Sequence, residues 1–343
     1  MKKLLMCLLV ILIIMGCKDS VKNNDNVEIL NFNGMKGKSE YMCFINPKEG
    51  YSFNYTTESE EQTEEQLGDP NFFPESTDIS TIYKTIDGGK NWVNVYSIND
   101  FHFYSTAFYN KNAVYIKIIS SKDVLKNKLL KFELKTNKVT ILNFNFERMG
   151  EIWTINQDVY VNSKNNGINN LYSIDNNFTK IDSIKEDNVF RDRITLLGNT
   201  PYVITWDNEI YNVEKKEAVR LINNDLESIA GIGKSNLLIA CKNKSSIELV
   251  GYNIDTKEKK HLKEFEGYSI VQGLQSNDKV ICGFIGNIKG MFTEYDLFYS
   301  LDKGKTWQIQ ELKEKSYIRP STLIDDILYV FSGGKRIQKI LLK

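Results

Sequence analysis

From about residue 27 onward the chain is a succession of short apolar–polar alternations. NAVYIKII (112–119), QDVYVNS (157–163), PYVITW (201–206), NLLIACK (236–242), KVICGFI (279–285) and ILYVFSG (327–333) all suit a backbone whose side chains alternate between two faces. Clusters of Asn, Gly, Asp and Lys separate these runs, as turns do. No segment carries a 3.6-residue apolar period of helix length. The pattern predicts an all-β chain.

Two eight-residue segments nearly repeat within it. Thr85-Ile-Asp87-Gly-Gly89-Lys-Asn-Trp92 and Ser300-Leu-Asp302-Lys-Gly304-Lys-Thr-Trp307 both follow S/T-x-D-x-G-x-x-W, each between strand-like runs. As hairpin turns they have a physical logic. Asp87 and Asp302 can accept hydrogen bonds from the N–H groups of their own turn. Gly89 and Gly304 supply positive φ, and Trp92 and Trp307 open the next strand with a ring for the core. Degenerate turns follow similar strands at 136–137, 175–177, 214–216 and 255–256. The steps from Asp87 to Asp302 are about 49, 39, 40, 40 and 47 residues, averaging about 43, the length of a four-stranded repeating unit. A seventh turn would fall just beyond Lys343, so the last unit lacks its fourth strand. Val27–Phe32 is strand-like and is expected to supply it beside Arg336–Leu342, which removes an open edge. The expectation is a single seven-bladed β-propeller over 27–343, with six or eight blades as alternative counts.

The paired segments resemble the Asp-box, or BNR repeat, of sialidases, sortilin-type receptors and photosystem-assembly-factor-like propellers. The resemblance implies that these turns join the third and fourth strands of a blade, away from the usual binding face. Thr85, Asp87, Gly89, Trp92, Ser300, Asp302, Gly304 and Trp307 are then structural. Sialidase catalysis does not carry over. That family needs an arginine triad, an acid/base aspartate and a tyrosine–glutamate pair, usually with an early Arg-Ile-Pro. Here no arginine precedes Arg148, and Tyr317-Ile-Arg319-Pro320 is a scrambled match at the wrong end. A sialidase-like glycan-processing enzyme stays as the alternative to a non-enzymatic binding or scaffolding propeller, and an assembly factor for a membrane complex as a third reading.

The first 26 residues carry a different signal. Lys2 and Lys3 precede twelve apolar residues, Leu4–Met15, too short for a comfortable bilayer span. Ile14-Met15-Gly16-Cys17 resembles the bacterial lipobox. That implies a signal peptide over 1–16, a diacylglycerol thioether on Cys17, a polar tether over 17–26, and a membrane-anchored chain in the bacterial envelope, periplasmic or surface-facing on the outer membrane.

Composition narrows the partners. With 44 basic and 44 acidic residues, the chain has no charge excess for nucleic acid. Two histidines exclude a multi-histidine metal site, and GxSxG, HExxH and Walker patterns are absent, so no metal, cofactor or catalytic residue is assigned. Cys43, Cys241 and Cys282 lie in apolar runs and read as buried small hydrophobes, with a Cys241–Cys282 bridge as the alternative in an exported chain.

Two features stand outside the repeats. Residues 56–79 read as an acidic loop inserted in the first blade, with eight carboxylates and no basic residue. It is a solvated loop on this reading, with calcium or a basic partner as the alternative. Where the chain enters the inner strands, aromatics recur beside cations: His102, Phe146, Arg148, Phe190, Arg191, Arg193, Tyr268, Tyr317 and Arg319. Four of the six arginines fall here. Guanidinium beside aromatic rings suits a carboxylate, sugar or peptide, so these residues form the candidate binding face for a protein or glycan. The plainer alternative is core packing and local pairing.

Overall fold

The computed structural model describes residues 26–59, 76–104, 108–109, 112–123, 127–146, 148–155, 158–165, 168–174, 181–185, 195–198, 200–205, 207–215, 217–220, 225–316, 318–332 and 336–343. The signal segment and Cys17 lie outside them.

The described residues form seven antiparallel sheets, spanning 38–99, 101–146, 148–185, 195–219, 225–266, 270–311 and 319–341. In the first six, the strands lie side by side in chain order. The second sheet has two short segments, Phe101–Phe103 and Phe108–Tyr109, against the strand Ala113–Ser120. The seventh takes three strands from the end of the chain and its fourth, Val27–Asn31, from the beginning. Val27 pairs with Ile340 and Asn31 with Arg336.

Strands apolar on both faces are explained by sheets packing on both sides. In Ala113–Ser120, Val114, Ile116 and Ile118 pack with Tyr51, Phe53 and Ile82 of the first sheet. Ala113 and Tyr115 turn the other way, onto Ile152, Val159 and Val161 of the third. Each such side chain removed from water contributes roughly 1.5–3 kcal/mol. The strand Val27–Asn31 works the same way. Val27 joins Leu297 and Tyr299 of the sixth sheet, whereas Leu30 joins Phe44, Tyr83 and Trp92 of the first. A period of two sends residues three apart to opposite faces.

Five of the six turns picked out by spacing fall between the third and fourth strands of their sheets. Several use left-handed backbone there: Asn137 at φ 55°, Lys257 at 62° and Lys303 at 59°. The turn at 175–177 lies outside the described residues.

Two expectations are corrected. The segment 56–79 is not loop throughout, because the strands Gly50–Ser59 and Ser76–Thr85 stay paired as far as Ser59 and Ser76. Thr56, Thr57, Thr77 and Ile79 are β-branched and suit a pleated backbone despite the acidic setting. Glu60, Glu61, Glu64, Glu65 and Phe72-Phe73 lie outside the described residues. The bridge between Cys241 and Cys282 is absent, and both thiols are free and buried, as is that of Cys43. Cys241 packs in a core between the fourth and fifth sheets, whereas Cys282 packs between the sixth and seventh. Burial pushes all three thiols up to about 12.

One buried polar residue makes a prediction. Gln310 is fully buried opposite Leu297, and neither atom of its amide has a hydrogen-bond partner among the described residues. Gln310→Leu is expected to stabilise the chain by about 1 kcal/mol, read as a rise in the urea midpoint, because it relieves an unpaired amide at similar volume. A lower midpoint would mean that the amide has a partner after all.

Candidate functional site

Each sheet has two ends. One carries the turns between first and second strands and between third and fourth. The other carries the hairpins between second and third strands and the crossings to the next sheet.

At the first end sit the two S/T-x-D-x-G-x-x-W turns. In one, Asp87 Oδ1 accepts from the N–H groups of Lys90 (3.1 Å) and Asn91 (3.0 Å) and from the Thr85 hydroxyl (2.8 Å). Its Oδ2 accepts from the Asn91 side chain at 2.7 Å. Asp302 repeats the set with Lys305, Thr306, Ser300 and the Thr306 hydroxyl. The Thr85 and Ser300 hydroxyls accept in turn from Gly89 N–H (3.0 Å) and Gly304 N–H (2.8 Å). Both glycines have positive φ, 94° and 85°, which a side chain would strain. The Trp92 indole donates to Gly89 O at 3.0 Å, whereas the indole N–H of Trp307 has no partner among the described residues. With both oxygens hydrogen-bonded inside its own turn, neither aspartate is placed for chemistry on a ligand.

Those bonds hold both carboxyls down to about 2, the largest cause being the backbone N–H of Asn91 for Asp87 and of Thr306 for Asp302. A folded value below the unfolded one means stability present above about pH 4 and lost as pH falls toward 2. Asp87→Ala/Asp302→Ala is therefore expected to lower the melting temperature at pH 7 and to flatten its decline between pH 4 and 2. Calorimetry across that window checks it, and an undiminished acid decline would refute it.

At the other end, His102 Nε2 lies 2.9 Å from Asp78 Oδ2, and the Thr57 hydroxyl donates to Asp78 Oδ1 at 2.8 Å. The hydroxyls of Tyr55 and Thr57 are 2.7 Å apart. Since Thr57 gives its only proton to Asp78, Tyr55 is the donor of that pair. The Tyr55 ring also lies against the imidazole, with centroids 4.4 Å apart. This is not a nucleophilic triad. The hydroxyl sits on the far oxygen of the carboxylate, not on the free nitrogen of the imidazole.

Tyr268 donates to Asp296 Oδ2 at 3.1 Å and packs against Phe265 and Phe298, and Lys315 Nζ lies 3.7 Å from the other Asp296 oxygen. Nearby, the strands Ile281–Lys289 and Phe292–Ser300 extend past their neighbours to a turn at Gly290 and Met291. Ile288, Met291 and Phe292 are exposed there, Met291 by 91%. Lys289 and Glu294 pair across the hairpin at 2.8 Å.

The remaining candidates are placed less fully. Phe146 ends a strand of the second sheet, Arg148 begins the third, and Arg319 begins the seventh, with nothing described of their side chains. Phe190, Arg191, Arg193 and Tyr317 lie outside the described residues. His102 and Tyr268 are engaged by their own neighbours. Sequence reasoning missed Tyr55, Thr57 and Asp78, which the pairing of two strands brings beside His102. It also missed the apolar tip, which the run IKGMF announces by apolar residues flanking a glycine turn. Among the described residues no three His, Cys, Asp or Glu side chains converge on a metal position.

No family model and no curated protein matches the chain. Among solved structures it is similar to a prolyl endopeptidase from a structural and mechanistic analysis of two such enzymes, at 8% identity and a TM-score of 0.56. The match covers 90% of this chain and 47% of that one, so the chain spans about half the endopeptidase's length. It is also similar to BamB from Moraxella catarrhalis, at 12% identity and a TM-score of 0.47 over 76% of this chain and 91% of that one. The likeness is one of fold: an all-β, propeller-like arrangement of four-stranded antiparallel sheets.

Proposed function

We propose that the chain is an exported, lipid-anchored, seven-bladed Asp-box β-propeller that acts as a binding or scaffolding module. Cys17 is its lipidation site, and Val27–Asn31 closes the ring. Its partner is a protein met at the end of the sheets that carries His102, Tyr268 and the expected arginines. The observation that carries this reading is the hairpin at 288–292. A long strand pair presents three exposed apolar side chains, Ile288, Met291 and Phe292, at one tip, and exposed apolar clusters of this kind mark interaction sites. The motif aspartates, by contrast, are engaged in their own turns.

The test is a pulldown of the mature tagged chain from its own membrane, compared with Met291→Asp/Phe292→Asp and with Arg191→Ala/Arg193→Ala. One stoichiometric partner, lost in both double variants, is the expected result. Turnover of a fluorogenic sialoside by the parent chain, with no such partner, would overturn it in favour of a glycan-processing enzyme.

A further inference from the structure

The two intact aspartate turns occupy particular places. They belong to the first and sixth sheets, which flank the seventh, the sheet that Val27–Asn31 joins. The Tyr329 hydroxyl of the seventh sheet donates to Pro47 O of the first at 3.1 Å, and Asn277 of the sixth donates to Asp325 O of the seventh at 2.8 Å. Val27 stands at the same end as these turns. It pairs with Ile340, next to Leu341, which pairs with Ile327 just after the turn at 325–326. Lys343 O accepts from Tyr299, adjacent to Ser300, and Gly88 N–H donates to Lys48 O, tying the first aspartate turn to the turn after Phe44.

This end presents apolar and basic groups together. The residue before the aspartate is apolar and exposed in both turns, Ile86 by 73% and Leu301 by 40%, and Val93 is exposed beside the first. Lys90, Lys303 and Lys305 are exposed with no ion pair among the described residues. The acidic groups in the turns of these three sheets are Asp87 and Asp302, bonded within their turns, Glu49, paired with Lys84 at 2.7 Å, the exposed Asp278 beside Lys279, and Asp325 and Asp326, with Lys279 3.9 Å from Asp325. Nine residues lie between Cys17 and Val27, ten Cα steps with a reach of about 35 Å at most. Apolar side chains flanked by lysines, at the end of a short tether, suit the headgroup region of a bilayer, where the stems lie on acyl chains and the ammonium groups meet phosphate.

We infer that the two aspartate turns are feet on either side of the tether, with Ile86, Val93 and Leu301 resting in a bilayer that contains anionic lipid and with the hairpin at 288–292 pointing away from it. The inference rests on the lipid-anchored reading of Cys17. It assigns these turns a role beyond holding their own sheets, and it separates the lipid surface from the partner surface.

The experiment uses the mature lipidated chain in vesicles of phosphatidylethanolamine and phosphatidylglycerol. Ile86→Cys, Leu301→Cys and Met291→Cys each receive a polarity-sensitive fluorophore. The three buried thiols stay unreactive in the folded chain, and a melt of each variant confirms folding. On reconstitution, the labels at positions 86 and 301 are expected to shift to the blue and lose accessibility to aqueous iodide, while the label at 291 does neither. Labels at 86 and 301 that stay as accessible as that at 291, or protection at 291 alone, would overturn the inference. Detergent-phase partition of the parent and of Cys17→Ala separates the two failures. A parent that partitions while its labels stay wet loses only the orientation. A parent that does not partition loses the anchor, and the inference with it.

Discussion

Leu30→Asp is expected to remove most of the chain's stability, roughly 4 kcal/mol or more, and to leave a species that self-associates. Leu30 is buried between Phe44, Tyr83 and Trp92 of the first sheet and Tyr329, Phe331 and Ile337 of the seventh. A carboxylate there would meet only apolar side chains. The loss extends beyond one contact. With Val27–Asn31 displaced, the strand Arg336–Leu341 presents an unpaired edge, and such an edge recruits another chain. Chemical denaturation and sedimentation velocity give the two readouts. Glu28→Gln is the control on the same strand, since Glu28 is exposed and pairs with Lys339 at 3.4 Å, so a change within about 0.5 kcal/mol is expected. A Leu30→Asp variant as stable as its parent would mean that the first strand lies outside the cooperative unit, and ring closure would be withdrawn.

Tyr329→Ala is expected to cost about 3–5 kcal/mol, the range for deleting a large buried aromatic. Its ring is fully buried and stacks on Phe44 with centroids 3.8 Å apart and planes 13° from parallel. Burial also pushes its phenol up to about 12, so near pH 7 the hydroxyl is a donor to Pro47 O. Tyr329→Phe keeps the ring and deletes only that bond, at a cost of about 1–2 kcal/mol. Urea midpoints of the two variants separate packing from hydrogen bonding. Equal losses would show that the bond, not the stacked ring, joins the first and last sheets.

Both predictions concern the same seam, and it was half legible in the sequence. The apolar pattern of Val27–Phe32 and the spacing of about 43 residues between turns suggested a displaced strand. Nothing in that pattern said that Val27 would face the sixth sheet and Leu30 the first. That assignment depends on the register with Arg336–Leu341, which is a property of two segments about 310 residues apart. The aspartate turns were legible, because the hydrogen bonds of Asp87 and Asp302 and of the Thr85 and Ser300 hydroxyls all lie within eight residues. The cluster around His102 was not. Thr57 and Asp78 sit in a stretch whose acidic composition reads as loop, and only their ladder brings them to the imidazole of the next sheet.

The sequence by itself determined the all-β character, the spacing of the turns and the hydrogen bonding of the motif aspartates within their own turns. Each of these follows from local chemistry: a period of two, a glycine that tolerates positive φ, and a carboxylate within reach of its own backbone. The tertiary structure alone decided which sheets are neighbours, that Cys241 and Cys282 lie in separate cores, that strands run on to Ser59 and from Ser76, and that both intact turns flank the strand where the tether joins. Those outcomes arise because burying both faces of a sheet takes a neighbour on each side, and which sheet becomes that neighbour is set by long-range packing that no local pattern records.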